Sequence, residues 1–350
     1  MAIVDKPPGH AKRLPRVSVR IPPCVDALEM GRIAERCEEL GFCGVWFPDS
    51  PILWRDPYIS AAFALMRTQQ ISVGVAVSNP VTRHLSVIAG MLRTLSELHM
   101  NRFKVGLGTG HSATQIVGLS RAGSAEMREA IRAIRTLYRG EAYDFGAGQV
   151  VMEGAVAGGA LFMAATGPRN LQVAGEVADG VIILNGVKTD ALRASLAHVV
   201  KGEKLRDPQL PALQRVVTAF CLPTDDLERD ARLLKPLCVA MAEELGARSA
   251  LAGAGVHVEA GQPSSAVYPD LIHARDLKQA VRAVDHLVSD GDIALFARRF
   301  CASGSVGEIL LQMESMVGDG VEEVILQHLG SFSTPDDAWL ETCAQLAKTG

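Results

Sequence analysis

The chain has 350 residues, 48% of them hydrophobic and 21% charged, with a formal net charge of −4 and a pI near 6.2. This is a globular composition with enough apolar residues for a sizeable core, and it excludes a disordered chain. There is no basic stripe and only 5% of residues are aromatic, which excludes nucleic acid as a partner.

The first sixteen residues are polar, carry Pro7, Pro8 and Gly9, and read as a loose arm. They lack the apolar core of a secretory signal, and no apolar stretch reaches the roughly 18 residues of a membrane span. Cysteines stand at 24, 37, 43, 221, 238, 301 and 343, an odd number with no CxxC pair. They read as reduced thiols packed as small apolar side chains, with no metal site, in a cytoplasmic protein.

Val17 to Ile21 is a short β-rich run, and Asp26 to Leu40 has helical periodicity that Gly41 stops. Gly44 to Asp49 is a second strand, and Asp56 caps a helix from Pro57 to Thr68. Ser72 to Val77 is the third strand, ending at Ser78-Asn79-Pro80, and a helix follows from His84 to His99. The fourth strand runs from Phe103 to Gly110 and precedes a helix over Ser124–Tyr138. Residues 141–152 read as a hairpin with a glycine turn. Leu161 to Thr166 is the fifth strand, with a helix from Pro168 to Val177. Val181 to Asn185 is the sixth, with a helix reaching about Val200. Val216 to Cys221 is the seventh, followed by one helix over Asp225–Leu245. Residues 248–305 break the pattern, with a helix only from Asp276 to Val288. Val321 to His328 is the eighth strand, and Pro335 to Lys348 the last helix.

Eight apolar strands alternating with helices predict a parallel sheet covered on both faces. The count and the length favour a closed TIM-type (β/α)8 barrel over an open doubly wound sheet. Residues 17–350 read as one domain with insertions at about 111–123, 141–153 and 248–305.

Two strands end in small residues. One tip is Gly106-Leu107-Gly108-Thr109-Gly110-His111, and the other is Ala164-Ala165-Thr166-Gly167-Pro168. Small residues at a strand tip let a ligand approach the backbone. In parallel α/β folds such tips bind cofactors, so the pair predicts a large planar ligand with a phosphate arm. Pro168 stands near the first position of its helix, and the free amides of Gly167, Pro168's neighbours and Arg169 suit a phosphate. Asn185 and Gly186, at the end of strand six, are candidates to complete that site, with Lys188 a weaker one.

In order and spacing these stretches resemble the luciferase-like oxidoreductases over roughly residues 17–330, especially the branch around methylenetetrahydromethanopterin reductase. The carriers are Ala34–Phe42 leading into Val45-Trp46-Phe47-Pro48-Asp49, Val73–Pro80, Arg83-His84, Arg102 with Val105–Gly110, Ala164–Pro168 and Val177–Val181. The resemblance implies a bacterial luciferase-like TIM barrel that holds a flavin or deazaflavin ring at the carboxyl ends of its strands. It also implies a bulge on strand three, often with a non-prolyl cis peptide, that buttresses the ring. Val77, Ser78 and Asn79 are the candidates there, with the cis bond at Val77-Ser78 or its neighbour. Gly108, Thr109, Gly110, Ala164, Ala165, Thr166 and Gly167 are expected to line the cofactor.

For catalysis the resemblance points to Asp49, although Ser50 stands where relatives often carry histidine. It also points to His111, where relatives often place a carboxylate, and an imidazole there suits proton exchange near neutral pH. His328 is a candidate to face the pocket, and Trp54 lies in a loop over the mouth. Arg102 is expected to pair with a carboxylate below the barrel, and Asp179 to be structural.

The leading expectation is hydride transfer between coenzyme F420 and a small organic substrate. The alternative is an FMN-dependent monooxygenase fed by a separate flavin reductase, and a third is a silent cofactor-binding barrel. A metal-dependent hydrolase would need histidine or carboxylate clusters at strand ends, and none occurs. Family members are commonly dimers packed through helices two and three, so a homodimer is expected.

Overall fold

The computed structural model describes residues 14–99, 101–154, 159–243 and 247–348. Residues 1–13 of the expected arm lie outside these residues, but its last three do not, and Arg16 already begins the first strand. Eight parallel strands close a ring: β1 (Arg16–Arg20), β2 (Gly44–Phe47), β3 (Ser72–Ser78), β4 (Phe103–Leu107), β5 (Ala160–Ala165), β6 (Gly180–Ile183), β7 (Gln214–Pro223) and β8 (Glu323–Gln327). Closure comes from β8, which pairs with β7 through Glu323 and Val216 and with β1 through Arg16 and Glu323. The expected barrel is the observed one.

Helices α1 (Ala27–Leu40), α2 (Pro57–Arg67), α3 (Leu85–Leu98), α4 (Ser124–Tyr138), α5 (Pro168–Val177) and α6 (Thr189–Glu203) cover the first six crossovers. Their ends are set locally. The Asp26 side chain accepts from the Glu29 amide, Asp56 accepts from Tyr58 and Ile59, and Gly41 closes α1 at φ 94°. The main core lies between this helical layer and the outward side chains of the strands, such as Val17, Val45, Val105 and Leu326.

The barrel interior is filled rather than hollow. The ring of Trp46 lies where a side chain on Gly74 would be, 2.2 Å from an added Cβ, and Phe162 does the same over Gly180 at 2.1 Å. The two rings meet edge to face at 5.6 Å. Beside them Glu323 accepts from Ser18 Oγ at 2.6 Å and from Trp46 Nε1 at 3.0 Å, and pairs with Lys104 at 3.5 Å. A charge in this position needs such partners, because an unpaired one would carry its full desolvation cost.

Three expectations need correction. The helix placed over Asp225–Leu245 is broken into Leu227–Asp230, a 3-10 turn Ala231–Leu234, and Lys235–Glu243. Pro236 accounts for this, since it offers no amide and its ring crowds the carbonyl four residues back. Residues 290–317 carry two helices, Asp290–Phe300 and Val306–Val317, where none was expected. Together with Leu277–Val284, the first of these builds a satellite core around Phe296, Ile293 and Val284 that reaches Phe220 and Leu222 on β7. Among the described residues, Arg102 meets no carboxylate in an ion pair. It instead donates to the carbonyls of Leu65, Thr68 and Ile71 and to Thr68 Oγ1, at 2.9 to 3.2 Å. That converts an expected salt bridge into a tie between α2 and the foot of β4.

Candidate active site at the carboxyl rim

Strands β4 and β5 are parallel neighbours, with Val105 opposite Leu161 and Leu107 opposite Met163. Their two small-residue tips therefore leave the sheet side by side on one rim. Next to them β3 carries the irregularity expected of it. Val75 pairs with Val105 and Ser78 with Leu107, so one strand has an extra residue between these points. The peptide bond Ala76–Val77 is cis, one residue before Val77-Ser78.

Part of the demand for glycine at the β4 tip is internal. A Cβ on Gly108 would lie 2.7 Å from Val77 Cγ2, and one on Gly106 3.0 Å from the Val75 carbonyl. The glycines thus make room for the bulge. Gly108 also donates to the Ser78 carbonyl at 2.8 Å. Gly110 has φ 81°, and an added Cβ would meet Thr114 at 2.5 Å. The Thr109 carbonyl accepts from Ala122. His111 is half-buried, and its carbonyl accepts from Thr114 and Gln115 at the start of the helical turn Ser112–Gln115.

Asp49, just past β2, is buried and fully engaged. Its Oδ2 accepts from Ser78 Oγ at 2.7 Å and Arg83 Nε at 2.6 Å, and its Oδ1 accepts from Arg83 Nη2 at 2.9 Å. Arg83 also reaches Asp56 at 2.9 Å and lies over the Tyr58 ring at 5.0 Å. Desolvation opposes the guanidinium's charge, but bonds to Asp49 and then Asp56 outweigh it and raise its pKa. Burial likewise raises the Tyr58 hydroxyl. Ser50, in the place of the expected histidine, touches Ser112 Oγ at 3.1 Å and joins the loops after β2 and β4. Asn79 holds the chain after β3 in an Asx turn, accepting from Val81 and Thr82. Its Nδ2 is buried with no partner among the described residues.

At the β5 tip, Ala164 and Ala165 end the strand, Thr166 is exposed, and Gly167 caps α5 without a side-chain bond. Nothing lies within 4 Å of a Cβ built on Gly167. The first amides of α5 therefore face an open cradle, with Pro168 at the first helical position and Arg169 exposed beside it. Asn185 Nδ2 donates to the Thr166 carbonyl at 2.8 Å and to Ser195 Oγ at 2.8 Å, tying the β6 end to this loop. Gly186, at φ 95°, closes against the Arg299 carbonyl. A phosphate fits this cradle by the chemistry of its donors.

Three features were not foreseen. Arg83 anchors Asp49 from 34 residues away. Arg20 ends β1 on the inward side and donates to the Ala76 carbonyl at 3.2 Å, with Trp54 at 5.7 Å. The 248–305 insertion brings His273 against Trp54, with ring centroids 5.1 Å apart, and its Nδ1 lies 3.0 Å from both Asp270 oxygens. Burial works against the Asp270 carboxylate, but His273 and backbone amides outweigh it and hold its pKa below the usual value. Trp54 itself donates to the Phe332 carbonyl at 3.0 Å. His328 does not line the mouth. Alternation along β8 puts Glu323, Ile325 and Gln327 inside, and His328 packs against Trp339 at 5.9 Å on the helix side. Burial, helped by the Arg20 charge, lowers its pKa to about 4.

Comparison with known proteins follows this geometry. A 5,10-methylenetetrahydromethanopterin reductase of Methanolobus tindarius is 32% identical over 196 residues, 53% of this chain and 60% of that protein. An F420-dependent glucose-6-phosphate dehydrogenase of Nakamurella multipartita is 27% identical over 248 residues, 64% of this chain and 73% of that protein. The solved coenzyme F420 dependent tetrahydromethanopterin reductase from Methanopyrus kandleri has the same fold, with a TM-score of 0.70 at 18% identity over 96% of this chain and 99% of that one. The family model for luciferase-like monooxygenases matches residues 13–323, from the chain before β1 to the first residue of β8, and the chain belongs to that family.

Proposed function

We propose that this protein is an oxidoreductase that binds coenzyme F420 at the carboxyl rim and moves a hydride between it and a small organic substrate. The observation that carries this reading is the set of three neighbouring strand ends on one rim: the bulged end of β3, the Gly108 tip and the open Gly167 cradle. Naming of the cofactor follows the two relatives above. When bound, F420 supplies two-electron hydride chemistry, while the protein supplies position and electrostatics. Val77, Ser78 and Asn79, with Gly108, Thr109 and Gly110, form one wall. Ala164, Ala165 and Thr166 form the adjoining wall, and Gly167, Pro168 and Arg169 with Asn185 and Gly186 hold the phosphate. Asp49 acts by fixing Arg83 and Ser78 beneath the mouth, through the three bonds its two oxygens accept. We take His111 as the candidate for exchanging a proton with substrate.

The family description favours a second reading, an FMN-dependent monooxygenase supplied with reduced flavin by a separate reductase. One experiment separates the two. Purified protein is titrated with F420 and with FMN, following fluorescence. F420 is expected to bind at low micromolar concentration and more tightly than FMN. Tighter FMN binding favours the monooxygenase. Failure of both to bind below roughly 100 μM, about −5.5 kcal/mol, ends the enzymatic reading.

No helix of the described residues is long and apolar enough to cross a membrane. All seven cysteines are free thiols, which suits the reducing cytoplasm we propose for it. We also propose a homodimer through α2 and α3, whose outer faces expose Ile59, Met66, Val87 and Leu98. Light scattering at micromolar concentration is expected to give twice the chain mass of 37.3 kDa, and a monomer mass overturns it.

A further inference from the structure

Arg20 differs from the other half-buried arginines of this protein. Arg83 is held by two carboxylates, Arg135 by Asp179 and the Val177 carbonyl, and Arg102 by four oxygens. Arg20 has five donor hydrogens and uses one contact, from Nε to the Ala76 carbonyl at 3.2 Å. No carboxylate pairs with it among the described residues. Its terminal nitrogens meet no acceptor there, yet they are not sealed from solvent. Three carboxylates of the surrounding loops are already committed, Asp49 and Asp56 to Arg83 and Asp270 to His273.

Its position gives that cation a role. β1 points Ser18 inward to Glu323 and, two residues on, Arg20 inward at the top of the barrel. There the guanidinium lies between the carbonyl of the cis peptide and the Trp54 ring. Desolvation without a compensating anion lowers its pKa to about 10, the direction that a bound anion reverses. Guanidinium groups meet carboxylate and phosphate oxygens through two parallel hydrogen bonds.

We propose that Arg20 is an anion-recognition residue in the barrel mouth, and that the substrate of this enzyme carries a carboxylate or phosphate group that it grips. The assignment of that anion to a substrate rests on the proposed function, whereas the anion site itself does not.

The test reads Trp54. Tryptophan emission of the cofactor-free protein is titrated with sodium acetate and with inorganic phosphate, at ionic strength fixed with sodium chloride, and with acetamide as the neutral control. A saturable change is expected with either anion, none with acetamide, and none in Trp54→Phe. Arg20→Met is expected to raise the apparent Kd at least tenfold. Arg20→Gln, which keeps a donor for the Ala76 carbonyl, is expected to do the same and serves if the Met variant fails to fold by circular dichroism. Identical curves in wild type and the neutral variants, or an equal response to acetamide, overturn the site.

A second arm repeats the titration on protein loaded with F420. The anion response is expected to persist, with F420 affinity in Arg20→Gln within threefold of wild type. Loss of the response on loading, with F420 affinity down tenfold or more in the variant, would assign the charge to the cofactor ring and overturn the substrate assignment. Absence of any F420 or FMN binding defeats the proposed function while the cofactor-free titration still decides the site.

Discussion

Removing Arg83 is the sharpest test of how the mouth is held. In Arg83→Met the Asp49 carboxylate, whose side chain is 0% exposed, loses two of its three side-chain bonds and keeps only Ser78 Oγ. Breaking a buried pair from one side costs roughly 3–5 kcal/mol, because the remaining charge stays desolvated. An unfolding entropy of ~2.1 cal/mol/K per residue gives about 0.7 kcal/mol/K for a chain of this length, so the loss corresponds to a Tm drop of about 4–7 °C. Differential scanning calorimetry of Arg83→Met, Asp49→Asn and the double variant completes the cycle. The double variant is expected to be more stable than Arg83→Met alone, with a coupling of about 2 kcal/mol or more. A Tm within 1 °C of wild type for Arg83→Met, or no coupling, would refute the reasoning that this pair fixes the rim.

Gly108→Ala puts a methyl group 2.7 Å from Val77 Cγ2, which is expected to destabilise by about 1–3 kcal/mol and weaken F420 binding at least tenfold by fluorescence titration. Gly167→Ala meets nothing within 4 Å and should leave Tm nearly unchanged, yet it crowds the helix cradle. A tenfold weaker F420 or FMN affinity is expected, and unchanged affinity would remove the phosphate from that cradle. His328 has a pKa lowered to about 4 from 6.5, so below pH 6.5 the unfolded chain binds a proton that the native state refuses. Stability from this group is present above pH 6.5 and is lost as pH falls toward 4, by up to about 3 kcal/mol. Urea midpoints at pH 7 and 4.5 should therefore fall less for His328→Leu than for wild type.

The barrel was legible because its signals are local. Alternation of apolar runs, Asp26 and Asp56 at helix starts, and Gly41 at a helix end each act within a few residues. The break at Pro236 was legible in principle, as was the second missed helix, where Ser305 and Glu308 form a capping box. The first was masked by helical periodicity running through Pro236, and the second lies at the end of the stretch 248–305, which was read as irregular. The rim residues were legible as a group from the two strand tips, but their individual duties were not. Gly108 reads as an opening for a ligand until Val77 is seen filling the space. Asp49 reads as a free acid until Arg83 and Ser78 converge on it. The inward phase of Arg20 follows from Ser18 two residues earlier. Its lack of a counter-charge depends on which carboxylates other elements claim, and no local pattern carries that.

The edge-to-face rings of Trp46 and Phe162 over Gly74 and Gly180 close off the interior of the barrel. A barrel filled in this way offers no passage from end to end, so a ligand at the carboxyl rim enters and leaves on that side. If the cofactor and substrate of the proposed function both bind at that rim, they share this entrance, and the deeper of the two has to enter first.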